Sequence, residues 1–173
     1  MIILNNGHTP LSPGAVYQGR TEYLESRRLI EAVERELSGF DVKVTEGREG
    51  YSPKGHLFIF HKGISERNER KSGAEVLVPE NASSDTQYRA FRLLEGVCHS
   101  SGLRYRGVHP IAQSSPFNTL RTLPSENAYL IKAGFIDSIE DNLLFDEALP
   151  HTARAIAGEI MRISKEGTNE AFS

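Results

Sequence analysis

Leu57-Phe58-Ile59-Phe60, followed at once by His61, is the stretch on which the fold turns. Four apolar residues in a row, two aromatic and one β-branched, are too short for a helix. They read as a central strand of a parallel sheet, buried on both faces. Outward from it, Ile2-Ile3-Leu4 is a second buried-strand run, ended by Asn5-Asn6-Gly7. Residues 40–45 alternate as a strand, and 74–78 and 128–131 are further strand runs. Between the strands the apolar period lengthens. Tyr23, Ile30, Val33 and Leu37 fall at helical spacing, with Ser26 on the stripe and Leu29 widening it, while Arg27, Arg28, Glu31, Glu34 and Arg35 lie mostly off it. The spacing predicts a helix over 21–38, with Thr21 as N-cap and Gly39 as its stop. A second helix is predicted over 85–101, with Tyr88, Phe91, Leu94 and Val97 facing inward, and two more over 138–145 and 152–164. Residues 47–55, 64–72 and 115–124 read as loop or irregular chain. Strands alternating with helices imply an α/β fold: a single domain over 1–164, a mostly parallel central sheet with helices on both faces, and a frayed tail over 165–173.

Composition agrees with one domain. The 173 residues, 38% hydrophobic and 25% charged, suffice for one core and are not those of a disordered chain. Net charge is −3, without the basic surplus that nucleic-acid binding calls for. Cys98 is the only cysteine, which excludes an intrachain disulfide and a cysteine-rich zinc site; it falls on a predicted helix as a buried, inert thiol. No apolar run approaches the roughly 20 residues of a membrane span. Met1-Ile2-Ile3-Leu4 gives way to Asn5-Asn6 too soon for a signal peptide, so synthesis in the cytoplasm without the usual export route is the expectation. There is no phosphate loop, no G-x-G-x-x-G and no G-x-S-x-G elbow.

In open α/β sheets, sites form at the carboxyl ends of the strands. His8 follows the first strand, His61 ends the Leu57–Phe60 run, and Glu22 opens the first helix, which places all three on one edge. Two imidazoles and a carboxylate form a recurring zinc set for hydrolysis, with a fourth position left for water. Singly, each has a plainer role: a lone histidine is most often a surface or satisfied residue, and Glu22 suits the first turn of a helix. His56, His99, His109 and His151 lack such placement and read as structural or exposed.

Asn6-Gly7-His8, Pro13-Gly14-Ala15 and Glu22 before an amphipathic helix resemble the opening of the zinc-dependent N-acetylmuramoyl-L-alanine amidases, the group of bacterial cell-wall amidases and many phage endolysins. Val42-Lys43-Val44-Thr45, the Leu57–His61 strand, Gly73-Ala74-Glu75-Val76 and Ala128–Phe135 follow in the family's order, so the likeness spans about residues 2–163. The resemblance implies that His8, Glu22 and His61 bind Zn²⁺ and that the amide between N-acetylmuramic acid and the L-alanine of the stem peptide is cleaved. Peptidoglycan is then the partner, met at the cell wall by a released lysin or by a domain of a longer exported protein.

The chain also departs from the family. The family's catalytic glutamate stands just ahead of the Gly-Phe pair leaving the last strand, and the matching residue here is Lys132. Three readings follow. Lys132 is itself catalytic, neutral or oxyanion-stabilising; or another carboxylate carries the proton, with Glu25 one turn from Glu22, Asp137 and Glu140 as candidates; or the protein binds zinc and the wall as a catalytically impaired, wall-binding or regulatory module. After His61 the family often has a small residue and then Asn, where this chain has Lys62-Gly63; Gly63 reads as a turn residue. Arg20, Lys62, Arg67, Arg121 and Lys132 fall near the site edge, where some would pair with stem-peptide carboxylates.

Overall fold

The computed structural model describes residues 1–48, 55–66, 69–112, 115 and 127–169. Arg67, Arg121 and nearly all of 115–124 lie outside them. Six strands form the main sheet: β1 (Ile2–Asn6), β4 (Val42–Glu46), β5 (His56–Gly63), β6 (Ala74–Val78), β7 (Tyr105–Pro110) and β8 (Ala128–Phe135), in the order β4-β1-β5-β8-β6-β7. All neighbouring pairs are parallel except β6 with β8. A two-stranded hairpin, β2 (Val16–Tyr17) with β3 (Arg20–Thr21), turns through Gln18 and Gly19, both at positive φ, as a tight two-residue hairpin requires. Three helices complete the fold: α1 (Glu22–Glu36), α2 (Ser84–Ser101) and α3 (Ile139–Asn169).

The α/β class and the mostly parallel sheet are as the sequence indicates. The placement of the helices is not. Ile2, Leu4, Phe58, Phe60, Tyr129, Ile131 and Val76 share one buried cluster with residues from all three helices. The alternate positions Ile3, Leu57, Ile59, Ala128 and Leu130 form a second, smaller cluster with Ile111 and no helical residue. Among the described residues the helices therefore lie on one face rather than two. A continuous apolar run reports burial of both faces, but not that helices do the burying.

Three local readings are corrected. On α2 the inward stripe is Ala90, Leu93, Leu94 and Val97, whereas Tyr88 and Phe91 are exposed. The last two predicted helices are one helix that runs on to Asn169 through Pro150. Phe145, Ala153, Ile156, Ala157, Ile160 and Ile163 keep one stripe against the core on both sides of the proline, so packing outweighs the lost backbone bond. Gly63 is not in a turn but in β5, where a Cβ would stand 2.6 Å from the Phe135 ring. The edge strand β7 was unreadable because Tyr-Arg-Gly-Val-His-Pro has no apolar period.

Phe58→Ala, in the centre of the large cluster, is expected to cost about 3–5 kcal/mol in urea unfolding. Val44→Ala, half-exposed on the edge strand β4, is expected to cost under about 1 kcal/mol.

Candidate metal centre

The centre is built where β1 and β5 run out together. Asn6 pairs with Phe60, and the Gly7 amide continues the ladder by donating to the Phe60 carbonyl at 3.2 Å. The next residues on each chain bring His8 and His61 to the same edge. Glu22 arrives as the first residue of α1, after Thr21 has accepted the Leu24 amide as N-cap. The Glu22 and Tyr23 amides donate to the Ala15 and Pro13 carbonyls, which fastens the helix start to the loop behind His8.

The three side chains converge. His8 Nε2 lies 2.8 Å from His61 Nε2 and 2.6 Å from Glu22 Oε2, and His61 Nε2 lies 3.8 Å from the same carboxylate oxygen. They form the one group of three metal-capable side chains among the described residues. Zinc with bonds of about 2.0–2.2 Å and tetrahedral angles holds its ligand atoms about 3.3 Å apart, close to these separations. Glu22 Oε1 is buried without a hydrogen-bond partner, as befits a carboxylate set to meet a cation. Burial holds the His61 imidazole well below the usual histidine value, with His8 and Lys132 adding to the effect, so it stays a neutral donor. The residues fit the metal. They line one wall of a cleft of about 450 Å³ with Gly7, Thr9, Ser12 and Ile64.

Gly14 makes the convergence possible. It sits at φ 76°, and a Cβ there would overlap the Glu22 carboxylate and stand 2.6 Å from His8 Cε1. The sequence shows Pro13-Gly14 as a turn; only the structure shows what the turn leaves room for.

The other candidates are placed as follows. Lys132 stands beside His61 in the β5–β8 register, but its ammonium is 2.7 Å from Glu75 Oε1. Glu25 is engaged by two arginines: its Oε2 accepts from Arg20 Nη1 at 3.0 Å and Arg28 Nη1 at 2.9 Å, in a network completed by Asp146. Asp137 accepts the Ser65 amide at 3.1 Å, and Glu140 lines a separate cleft with Arg70 and Lys71. Arg20 is spent on Glu25 and Asp146. Lys62 is not at the site edge at all. It is 1% exposed, with its Nζ 3.8 Å from the Phe145 ring centroid, and burial pulls it down to about 8. The strand pleat turns Lys62 to the helix face and His61 to the other. Sequence reading missed Glu75; its signal was a lone charge within the apolar strand Ala-Glu-Val-Leu-Val. Cys98 is half-buried on α2, its thiol pushed up to about 11 by burial.

No family model and no curated protein sequence matches the chain. Solved structures do match in fold. The N-acetylmuramoyl-L-alanine amidase of Clostridium difficile 630 aligns over 93% of this chain and 94% of its own, at 17% identity and a TM-score of 0.75. The catalytic domain of the CD27L endolysin targeting Clostridia difficile aligns over 93% and 96%, at 18% identity and 0.72. The amidase Ami1 of Mycobacterium smegmatis aligns over 96% and 97%, at 16% identity and 0.71. The fold is that of these amidases.

Gly14→Ala is expected to abolish tight zinc binding while leaving the far-ultraviolet spectrum of a folded protein, a difference that equilibrium dialysis reads directly. A pH dependence also follows for the metal-free protein. Burial lowers both His56 and His61 below their ordinary 6.5, so the unfolded chain binds these protons first. Stability is full above about 6.5 and falls as pH drops from there toward the folded values. A further decline, below the ordinary 4.5 and 3.8 of Glu75 and Asp146, follows from their lowered carboxyl values. Urea midpoints at neutral and mildly acidic pH check the first step.

Proposed function

We propose that this chain is a zinc-dependent peptidoglycan hydrolase that cleaves the amide between N-acetylmuramic acid and the L-alanine of the stem peptide. The convergence of His8, Glu22 and His61 at the edge of this sheet carries the reading. The shared fold with N-acetylmuramoyl-L-alanine amidases supports it, and supplies the substrate class. The open cleft beside the three residues suits a polymer better than an enclosed pocket would.

His8 and His61 would hold the metal through Nε2 and Glu22 through Oε2. Zinc bound by such a set keeps a fourth position for water, lowers the pKa of that water toward roughly 7 and acts as a Lewis acid toward a carbonyl. Every other role falls to the chain. The low proton affinity of His61 keeps it in the ligating form. Lys132 gives one N–H to Glu75 Oε1 at 2.7 Å; its remaining N–H groups are donors for negative charge developing on the scissile carbonyl oxygen. With Glu25 bound to two arginines, no carboxylate in the described site takes the usual proton-shuttling place.

That last observation favours a second reading: a zinc-binding relative that engages the wall as a binding or regulatory module and cleaves poorly. Digestion of purified cell walls separates the two. The enzyme reading expects one zinc per chain and release of free N-terminal alanine, lost on chelation and in His8→Ala and His61→Ala. Lys132→Met should then lower kcat by about 10²–10³-fold with zinc still bound. Walls left uncut by the fully zinc-loaded protein would establish the second reading instead.

A further inference from the structure

Three strands carry a row of charges across the face of the sheet turned away from α1, α2 and α3. His61 on β5 is registered with Lys132 on β8, and Lys132 with Glu75 on β6. Strand alternation points all three to the side of Ile59 and Leu130. The row goes on to β7: Arg106 Nε lies 3.3 Å from Glu75 Oε2, and Arg106 Nη1 donates to the Ser72 carbonyl at 3.4 Å. The Arg106 guanidinium is also held 5.0 Å above the Phe135 ring. Glu75, itself buried, is thus gripped on both oxygens, Oε1 by Lys132 at 2.7 Å and Oε2 by Arg106.

The arrangement answers a physical difficulty. An unopposed ammonium beside His61 would repel a divalent cation held by that imidazole, and low local dielectric would sharpen the repulsion. We propose that Glu75 is a positioning residue of the metal centre: its carboxylate draws the Lys132 ammonium aside and neutralises it, so that a lysine can stand next to His61 without weakening the metal site. Arg106 and Phe135 fix the carboxylate from the far side, so Glu75 cannot swing round to become a ligand itself. The inference rests on the metal-binding reading above and deepens it. It accounts for a charged residue in an otherwise apolar strand and for the turn of Lys132 toward β6.

The test is zinc affinity, read by competition with a chromophoric chelator, for the unaltered protein, Glu75→Gln, Lys132→Met and the double variant. Glu75→Gln keeps the shape and removes the charge, and should weaken zinc binding by about 10–100-fold, the range usual for residues that support metal ligands. Lys132→Met removes the cation and should bind at least as tightly as the unaltered protein. The double variant should return to within about threefold of Lys132→Met, because nothing is left for Glu75 to neutralise. Circular dichroism confirms folding; should Glu75→Gln fail to fold, Lys132→Met decides by itself. Affinity unchanged in Glu75→Gln, no recovery in the double variant, or zinc binding weakened about tenfold in Lys132→Met would each overturn the proposal while the metal centre stands. An unaltered, folded protein that takes up no zinc would instead overturn the metal reading, and this inference with it.

Discussion

The in-register parallel pairing of β1 with β5 is the constraint on which the centre depends. Ile2, Leu4 and Asn6 lie opposite His56, Phe58 and Phe60, so the two chains leave the sheet side by side and deliver His8 and His61 to one place. The core enforces that register. Ile2, Leu4, Phe58 and Phe60 all enter the cluster under the helices, and a slip of one residue would send one strand's set to the other face. Hydrophobic burial far from the cleft thus fixes the distance between the His8 and His61 imidazole nitrogens.

A small polar shell converts strand register into side-chain geometry. Buried Asn6 accepts the His8 amide through Oδ1 at 3.1 Å and donates through Nδ2 to the Tyr23 carbonyl at 3.0 Å. One amide side chain therefore ties the loop that carries His8 to the helix turn that carries Glu22. Asn5 reaches the other way, donating to Thr45 Oγ1 and the Gly47 carbonyl, which anchors the end of β4 beside the cleft. The Tyr23 hydroxyl closes the circuit by donating to Glu46 at 2.8 Å. Asn5, Asn6 and Tyr23 each bind a backbone or side-chain partner on a neighbouring segment, so the loops are tied together by hydrogen bonds.

Much of this was legible in the residue pattern, and the exceptions share a cause. The strand runs, the Thr21 cap, the stripe of α1 and the meeting of His8, Glu22 and His61 at one edge followed from period and from the edge rule, because those signals are local or depend on strand direction alone. What the pattern could not show depends on which partner strand lies alongside. Lys132 and Glu75 are 57 positions apart, and only the antiparallel insertion of β6 next to β8 makes them a pair. The covering of the sheet's second face, the edge strand β7 and the engagement of Glu25 by Arg20 and Arg28 are likewise questions of neighbours. Pro150 shows the reverse case, where a strong local signal was outweighed by a continuous buried stripe.

Two lysines illustrate how the pleat decides chemistry. Lys62 follows His61 directly and Lys132 lies a strand away, yet of the two only Lys132 shares the face of His61. Lys62 crosses to the core, where Phe145 lies beneath its ammonium and Glu25 and Asp141 oppose the desolvation that pulls it down to about 8. Its charge is answered on the helix side by the same Glu25 that Arg20 and Arg28 engage. On the other face Glu75 answers Lys132. Each of these two lysines thus faces an acid on its own side of the sheet, and the Glu22 carboxylate meets the two imidazoles.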